Sequence, residues 1–182
     1  MKITVIGRGN VGGGLAERWR NAGHDVTELG RDGGDASDAD VLLVAVPSGS
    51  IAEALGKVTG LAGKPTIDAT NAPRGRDEGF ESLAHQVKSI VGGPTAKSFN
   101  LNFAAVYDRI DDEPTPPGNI YAAEDDAREV TETLIRDAGY EPLYAGGLEQ
   151  ARLLEDMLGL LFGLSQGGLG PHFYRFAPPG RS

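Results

Sequence analysis

The sequence predicts an α/β fold: a doubly wound, mostly parallel sheet with a short C-terminal helical segment. Three observations predict it. Short apolar runs alternate with helical patterns along the 182 residues, and that alternation builds a parallel sheet with helices on both faces. Residues 41–46, VLLVAV, are apolar without a break, as expected of a strand buried on both sides. A glycine-rich turn, Gly7-Arg8-Gly9-Asn10-Val11-Gly12, separates the first apolar run from the first helical pattern.

The elements follow in order. Residues 2–6 read as a strand, 15–22 as a helix closed by Gly23, and 25–29 as the next strand. Residues 30–40 are rich in Gly and Asp and too short for a regular crossover helix. After the 41–46 strand, Ile51, Ala54, Leu55 and Val58 carry helical spacing. A strand at 66–69, a helix at 80–87 and a strand near 95–99 come next, then an irregular segment to Gly118 and a strand at 120–122. Asp125 or Asp126 can cap a helix running to about Ala138, with Gly139 at its end. Residues 141–144 form the last strand. The long helix over 148–166 is apolar at Leu154, Met157, Leu158 and Leu161, and also at Leu160 and Leu164.

Composition narrows the chemistry. The chain has no cysteine, which removes disulfides, thiolate metal sites and a cysteine nucleophile. His24, His85 and His172 are scattered and lack a metal-ligand spacing. The net charge of −9 comes with no basic footprint for nucleic acid. No apolar stretch approaches the ~20 residues of a membrane span. Residue 2 enters a strand at once, so no signal peptide is expected and the expected location is cytoplasmic.

The glycine turn carries the binding chemistry. Gly7-x-Gly9-x-x-Gly12 closes a strand, opens a helix and precedes a second strand, the context in which this fingerprint marks a Rossmann-type dinucleotide site. Gly7 permits the tight turn, Gly9 lets backbone approach a pyrophosphate, and Gly12 lets helix pack on strand. Arg8 lies within the loop and is assigned to the cofactor with it. The amides of Asn10, Val11 and Gly12 would face the phosphates at the positive end of the helix dipole. NAD-specific sites place Asp or Glu at the end of the second strand for the ribose 2′-hydroxyl. Here the chain reads Leu29-Gly30-Arg31. Gly30 leaves room for a 2′-phosphate and Arg31 can clamp it, which favours NADP(H). Asp32 is a second group able to face that ribose.

Ligands in open α/β sheets sit beyond the carboxyl ends of strands. Those ends are Val46-Pro47, Thr70-Asn71 and Ser98-Phe99-Asn100. Val46, Pro47, Thr70 and Asn71 are assigned to the cofactor. Ser98, Asn100 and Asn102 are assigned to a second substrate, as neutral donors and acceptors suited to a heterocycle edge. Arg74, Arg76, Lys97 and Arg175 are cations able to receive an anionic tail. No histidine or cysteine stands at these ends. Hydride transfer between stacked rings needs only reacting atoms ~3–3.5 Å apart and exclusion of water, because the cofactor carries the chemistry.

Several segments, taken in order, resemble one family. They are residues 7–16, Gly30-Arg31, Ala45-Val46-Pro47, and Leu61-Ala62-Gly63-Lys64 running into Ile67-Asp68-Ala69-Thr70-Asn71-Ala72-Pro73. Lys97-Ser98-Phe99-Asn100 and Gly147-Leu148-Glu149-x-Ala151-Arg152-x-x-Glu155 complete the set. Together they resemble the coenzyme F-420-dependent NADP oxidoreductases, the NADPH-dependent F-420 reductases. The resemblance implies reversible hydride exchange between NADPH and the deazaflavin F-420. It implies an NADP-binding domain over 1–147 and a C-terminal helix and tail over 148–182 covering the substrate site. It places the deazaflavin between the nicotinamide and the turn at Gly168-Leu169-Gly170, with Leu169 on the ring. Asn100 and Leu169 are thus the residues expected nearest the reacting atoms. Two features depart from the family: Asn100 stands where it has histidine, and the segment before Val41 is shortened by a helix and an edge strand. Competing readings are an NADPH-dependent reductase of another flavin, a quinone or a ferric complex, and a non-catalytic NADP(H)-binding redox sensor. Hydroxyacid dehydrogenases and pyrroline-carboxylate reductase share the glycine-rich start but need a large helical C-terminal domain, for which one helix after Tyr144 is too little. The apolar breadth of that helix is compatible with a homodimer.

Overall fold

The computed structural model describes residues 1–73, 76 and 79–180. The first unit is β1 (Lys2–Ile6), α1 (Asn10–Asn21) and β2 (Asp25–Leu29). Helix α1 starts five residues before the expected 15–22, because glycines 12–14 lie inside it rather than ahead of it. Its buried residues Gly12, Leu15, Ala16 and Trp19 fall on one face, and the Trp19 indole N–H donates to the Leu134 carbonyl at 2.8 Å.

The Gly/Asp-rich stretch holds a short strand, β3 (Gly34–Asp35), before β4 (Val41–Val44) and α2 (Ile51–Gly56). Strand β3 pairs in parallel with β5 (Val58–Thr59), forming a small sheet beside the main one. Then come β6 (Thr66–Asp68), α3 (Leu83–Val91), β7 (Thr95–Lys97), β8 (Gly118–Ala123), α4 (Asp125–Asp137), β9 (Glu141–Tyr144) and α5 (Ala151–Leu164). The segment before β8, expected to be irregular, contains 3₁₀ turns over Ala104–Asp112.

The main sheet has seven strands in the order β2-β1-β4-β6-β7-β8-β9. Every pairing is parallel except β7 with β8. The fold is therefore the expected Rossmann-type α/β arrangement with a mostly parallel sheet and a C-terminal helix. Strand β2 forms its edge, consistent with a shortened segment after it. Alternation along the strands explains the unbroken 41–44 run. Val41 and Leu43 join Ile3, Val5 and Trp19 in the core on one face, while Leu42 and Val44 join Ile6, Ile51 and Leu55 on the other.

Reversal of β8 has a positional effect. Lys97 of β7 pairs with Ala122, so β8 begins at the carboxyl edge of the parallel strands. The tail returns to that point, where the Gly118 N–H donates to the Tyr174 carbonyl at 2.7 Å. Helix α5 packs Leu154, Leu158 and Leu161 onto Leu101 and Ala122. Among the described residues, no helix is long and apolar enough to cross a membrane.

A buried charge cluster fixes α5 to the sheet. The Lys97 ammonium, fully buried, donates to Asp68 Oδ2 at 2.7 Å and to the Thr70 carbonyl at 2.6 Å. It also lies 3.1 Å from Glu155 Oε1 on α5. Glu155 in turn accepts from the Leu83 N–H and from Arg76, each at 2.9 Å. These bonds compensate charges whose burial alone would be costly.

Candidate functional site

The site begins where β1 turns into α1. Gly7 has φ +114, and a Cβ there would lie 2.4 Å from the Ala45 carbonyl oxygen. A Cβ on Gly12 would lie 1.9 Å from the Gly7 carbonyl oxygen. Both positions need glycine for close packing of turn, helix and strand. Gly9 differs: a Cβ on it would meet nothing within 4 Å. It sits at the N-cap of α1 without a side chain, so the helix mouth is open to an approaching group. The first four amides of a helix have no partner within it, and here they belong to the turn that contains Asn10, Val11 and Gly12. The residues present therefore fit the diphosphate of a dinucleotide.

The mouth opens into a cleft of about 910 Å³, a size suited to a cofactor or drug-sized ligand. Gly7, Arg8 and Gly9 form one wall, Gly30, Arg31 and Asp32 another, and Val46 and Pro47 the floor toward β4. Seven of the expected cofactor residues thus share one cleft with Asp32. Gly30 borders a protein side chain from the first loop. A Cβ there would fall 2.1 Å from Arg8 Nη2 and 2.7 Å from its Cζ, so the bare backbone makes room for the Arg8 guanidinium.

Ser50, Glu53 and Lys57 also line the cleft, and the sequence reading missed them. Their 3- and 4-residue spacing, in α2 and at its two ends and off its apolar face, was the available signal. Lys57 Nζ donates to Glu53 Oε1 at 2.6 Å. That bond, then the charge of Lys57 and a contribution from Arg31, holds the Glu53 carboxyl below its usual range.

Farther along the carboxyl edge, Thr70 and Asn71 follow β6 and lie outside the cleft wall. Asn71 donates to the Asn100 carbonyl at 2.7 Å, and Asn100 Nδ2 returns to Asn71 Oδ1 at 3.2 Å and to the Leu154 carbonyl at 3.1 Å. The Asn100 Oδ1 acceptor and the Thr70 hydroxyl are buried with no hydrogen-bond partner among the described residues. Phe99, between β7 and Asn100, has φ +61, a left-handed conformation unusual for a non-glycine residue. Its ring is wedged edge-on against Trp19 and Tyr140. Ser98 and Asn102 are buried: Ser98 Oγ donates to Asn119 Oδ1 at 2.8 Å, and Asn102 Nδ2 to the Gly118 carbonyl at 3.0 Å.

Beyond α5, Gly168 has φ +112 and Gly170 φ +70, with Leu169 between them 60% exposed. His172 Nδ1 lies 2.9 Å from the Gly170 carbonyl, and its ring sits 5.0 Å from that of Phe103. Of the four cations expected to be able to receive an anionic tail, Arg74 lies outside the described residues. Lys97 is buried in the cluster above, Arg76 is bound to Glu155 and Asp156, and Arg175 is bound to Glu113 and the Thr115 carbonyl. Those three are occupied by the fold.

The fold is shared with solved structures. A protein from Arthrobacter sp. FB24, described as a candidate F420-dependent NADP reductase, matches 98% of this chain and 100% of its own, with 21% identity and a TM-score of 0.83. A hypothetical protein from Sinorhizobium meliloti is 28% identical over 81% of this chain and 86% of its own, with a TM-score of 0.67. The reductive aminase of Aspergillus terreus, solved with NADPH and ethyl levulinate, is 17% identical at a TM-score of 0.67. This chain covers 62% of that enzyme's length. No protein-family model and no curated protein matches the sequence.

Proposed function

We propose that this chain is an oxidoreductase that binds NADP(H) and exchanges a hydride with coenzyme F-420. One observation carries the reading: an open helix mouth at Gly9 shares a cleft with Arg31, so a diphosphate bound at the one would lie beside the guanidinium of the other. The NADPH bound to the Aspergillus neighbour and the full-length likeness to the Arthrobacter protein support it.

The chain's own residues would act by holding and orienting. Amides of Asn10, Val11 and Gly12 would bind the diphosphate, and Arg31 the 2′-phosphate. Val46 and Pro47 would bear on the nicotinamide ribose, with Thr70 and Asn71 at the carboxamide end. The nicotinamide, when bound, supplies a hydride donor or acceptor. Residues 1–147 form the cofactor-binding part in this reading, and residues 148–182 the cover. The carboxyl-edge position of the tail supports that division. Asn100, held from both sides, would present its free Oδ1 near the second ring, with Ser98 and Asn102 bracing the loop from beneath. Gly168 and Leu169 would close over it. Leu153, Leu160 and Leu164, exposed along α5, favour a homodimer.

The decisive experiment mixes protein, NADPH and oxidised F-420 without oxygen. Bleaching of the deazaflavin absorbance is expected, and no bleaching at high protein concentration removes F-420 as the partner. Binding of NADPH without reduction of F-420, another flavin or a quinone would leave a redox sensor.

A further inference from the structure

Arg31 does not stand alone in its corner of the cleft. The shortened segment after β2 makes a tight turn, with the Gly33 N–H donating to the Gly30 carbonyl at 3.1 Å, so Arg31 and Asp32 form its tip. The far side of that turn is seated on Lys57. Gly34 N–H donates to the Lys57 carbonyl at 3.2 Å, and a Cβ on Gly33 would lie 2.0 Å from the same oxygen. The β3–β5 pairing continues this seam. The replacement for a missing crossover helix therefore carries Lys57 next to the Arg31 turn. On the other side, the Arg8 guanidinium lies over Gly30.

Charge shows what this grouping does. The cleft is lined by Arg8, Arg31 and Lys57 against Asp32 and Glu53. With Arg31 as its sole cation it would be net negative, in a chain of net charge −9. A phosphate monoester brings a further −1.5 to −2, approximately, and would be repelled. With all three cations the balance reverses. Glu53, bonded to Lys57 at 2.6 Å, occupies the ammonium with an internal carboxylate.

We infer that Lys57 and Arg8 complete a three-cation clamp for the 2′-phosphate of NADP(H), with Glu53 as the counter-ion that the phosphate displaces from Lys57. This rests on the NADP(H) reading and assigns part of its cofactor preference to Lys57 and Glu53, which lie outside the fingerprint. Lys57 and Glu53 have side chains 44% and 71% exposed, and Arg8 is also exposed, so changing them leaves the core untouched.

Calorimetric titration of the full chain with 2′,5′-ADP, NADPH and NADH tests the clamp. Lys57→Met and Arg8→Met should each weaken 2′,5′-ADP and NADPH about tenfold, the low end for a charge-assisted contact, and leave NADH within about twofold. Glu53→Gln should strengthen 2′,5′-ADP by about threefold, the scale of an exposed ion pair released. Either methionine variant that keeps wild-type affinity for 2′,5′-ADP, or that loses NADH in step with NADPH, overturns the clamp while the wild-type preference for NADPH stands. A wild-type chain that binds none of the three ligands overturns the NADP(H) reading and the clamp with it.

Discussion

A methyl group on Gly30 would strike the end of a flexible side chain, whereas one on Gly12 would strike backbone. The two glycines therefore predict different losses. Gly30→Ala should swing Arg8 aside, keeping the melting temperature but lowering NADPH affinity several-fold in titration. Gly12→Ala should destabilise the fold itself by about 1–3 kcal/mol, the cost of overpacking, as read from urea unfolding. The sequence showed that both positions need glycine, but not that the Arg8 side chain, from another loop, would lie beside Gly30. A third residue sets acid behaviour. Glu132 is held down to a pKa of about 2, first by the Tyr121 hydroxyl and then by Arg128 and Arg136. Its folded pKa is depressed, so its contribution is complete above the ordinary value of 4.5 and is lost as pH falls toward 2. Melting temperature followed across that window should fall less steeply in Glu132→Gln than in the wild type.

Helix α5 is held by the Lys97 cluster as well as by its leucines. Lys97→Met would leave Asp68 buried without a cation and Glu155 with Arg76 alone, and breaking such a cluster costs about 3–5 kcal/mol. Urea unfolding should show that loss, whereas exposed Arg152→Met should stay within about 0.5 kcal/mol. Element existence was legible in the sequence because periodicity is local: the 41–46 run and the α4 and α5 patterns all form near their expected bounds. Two things were not. Strand β3 has no apolar pattern and exists through its pairing with β5. The direction of β8 depends on where the chain re-enters the sheet, which no window of residues encodes. The cleft followed the same division. Its fingerprint wall was readable from spacing; its α2 wall had only the weaker signal of polar spacing at Ser50, Glu53 and Lys57, and its place beside Arg31 follows from the turn after β2 resting on Lys57.

At the scale of the molecule, acidic surface surrounds a cleft whose own lining carries more cations than anions. The exposed row Leu153, Leu160 and Leu164 on α5 gives a further expectation. Light scattering should report a dimer for the wild type and a monomer for Leu160→Asp, with unchanged far-ultraviolet circular dichroism. The reversed strand β8 also gives the molecule a polarity useful at the bench. Residue 1 precedes β1 at the amino edge of the sheet, roughly 16 Å of strand away from the Gly7 turn at 3.3 Å per residue. The Tyr174 end of the chain lies on the opposite rim. A molecule anchored to a sensor chip through its first residue would stand with its cleft turned toward the flowing ligand, whereas anchoring through a residue beside Tyr174 would turn the opening toward the support.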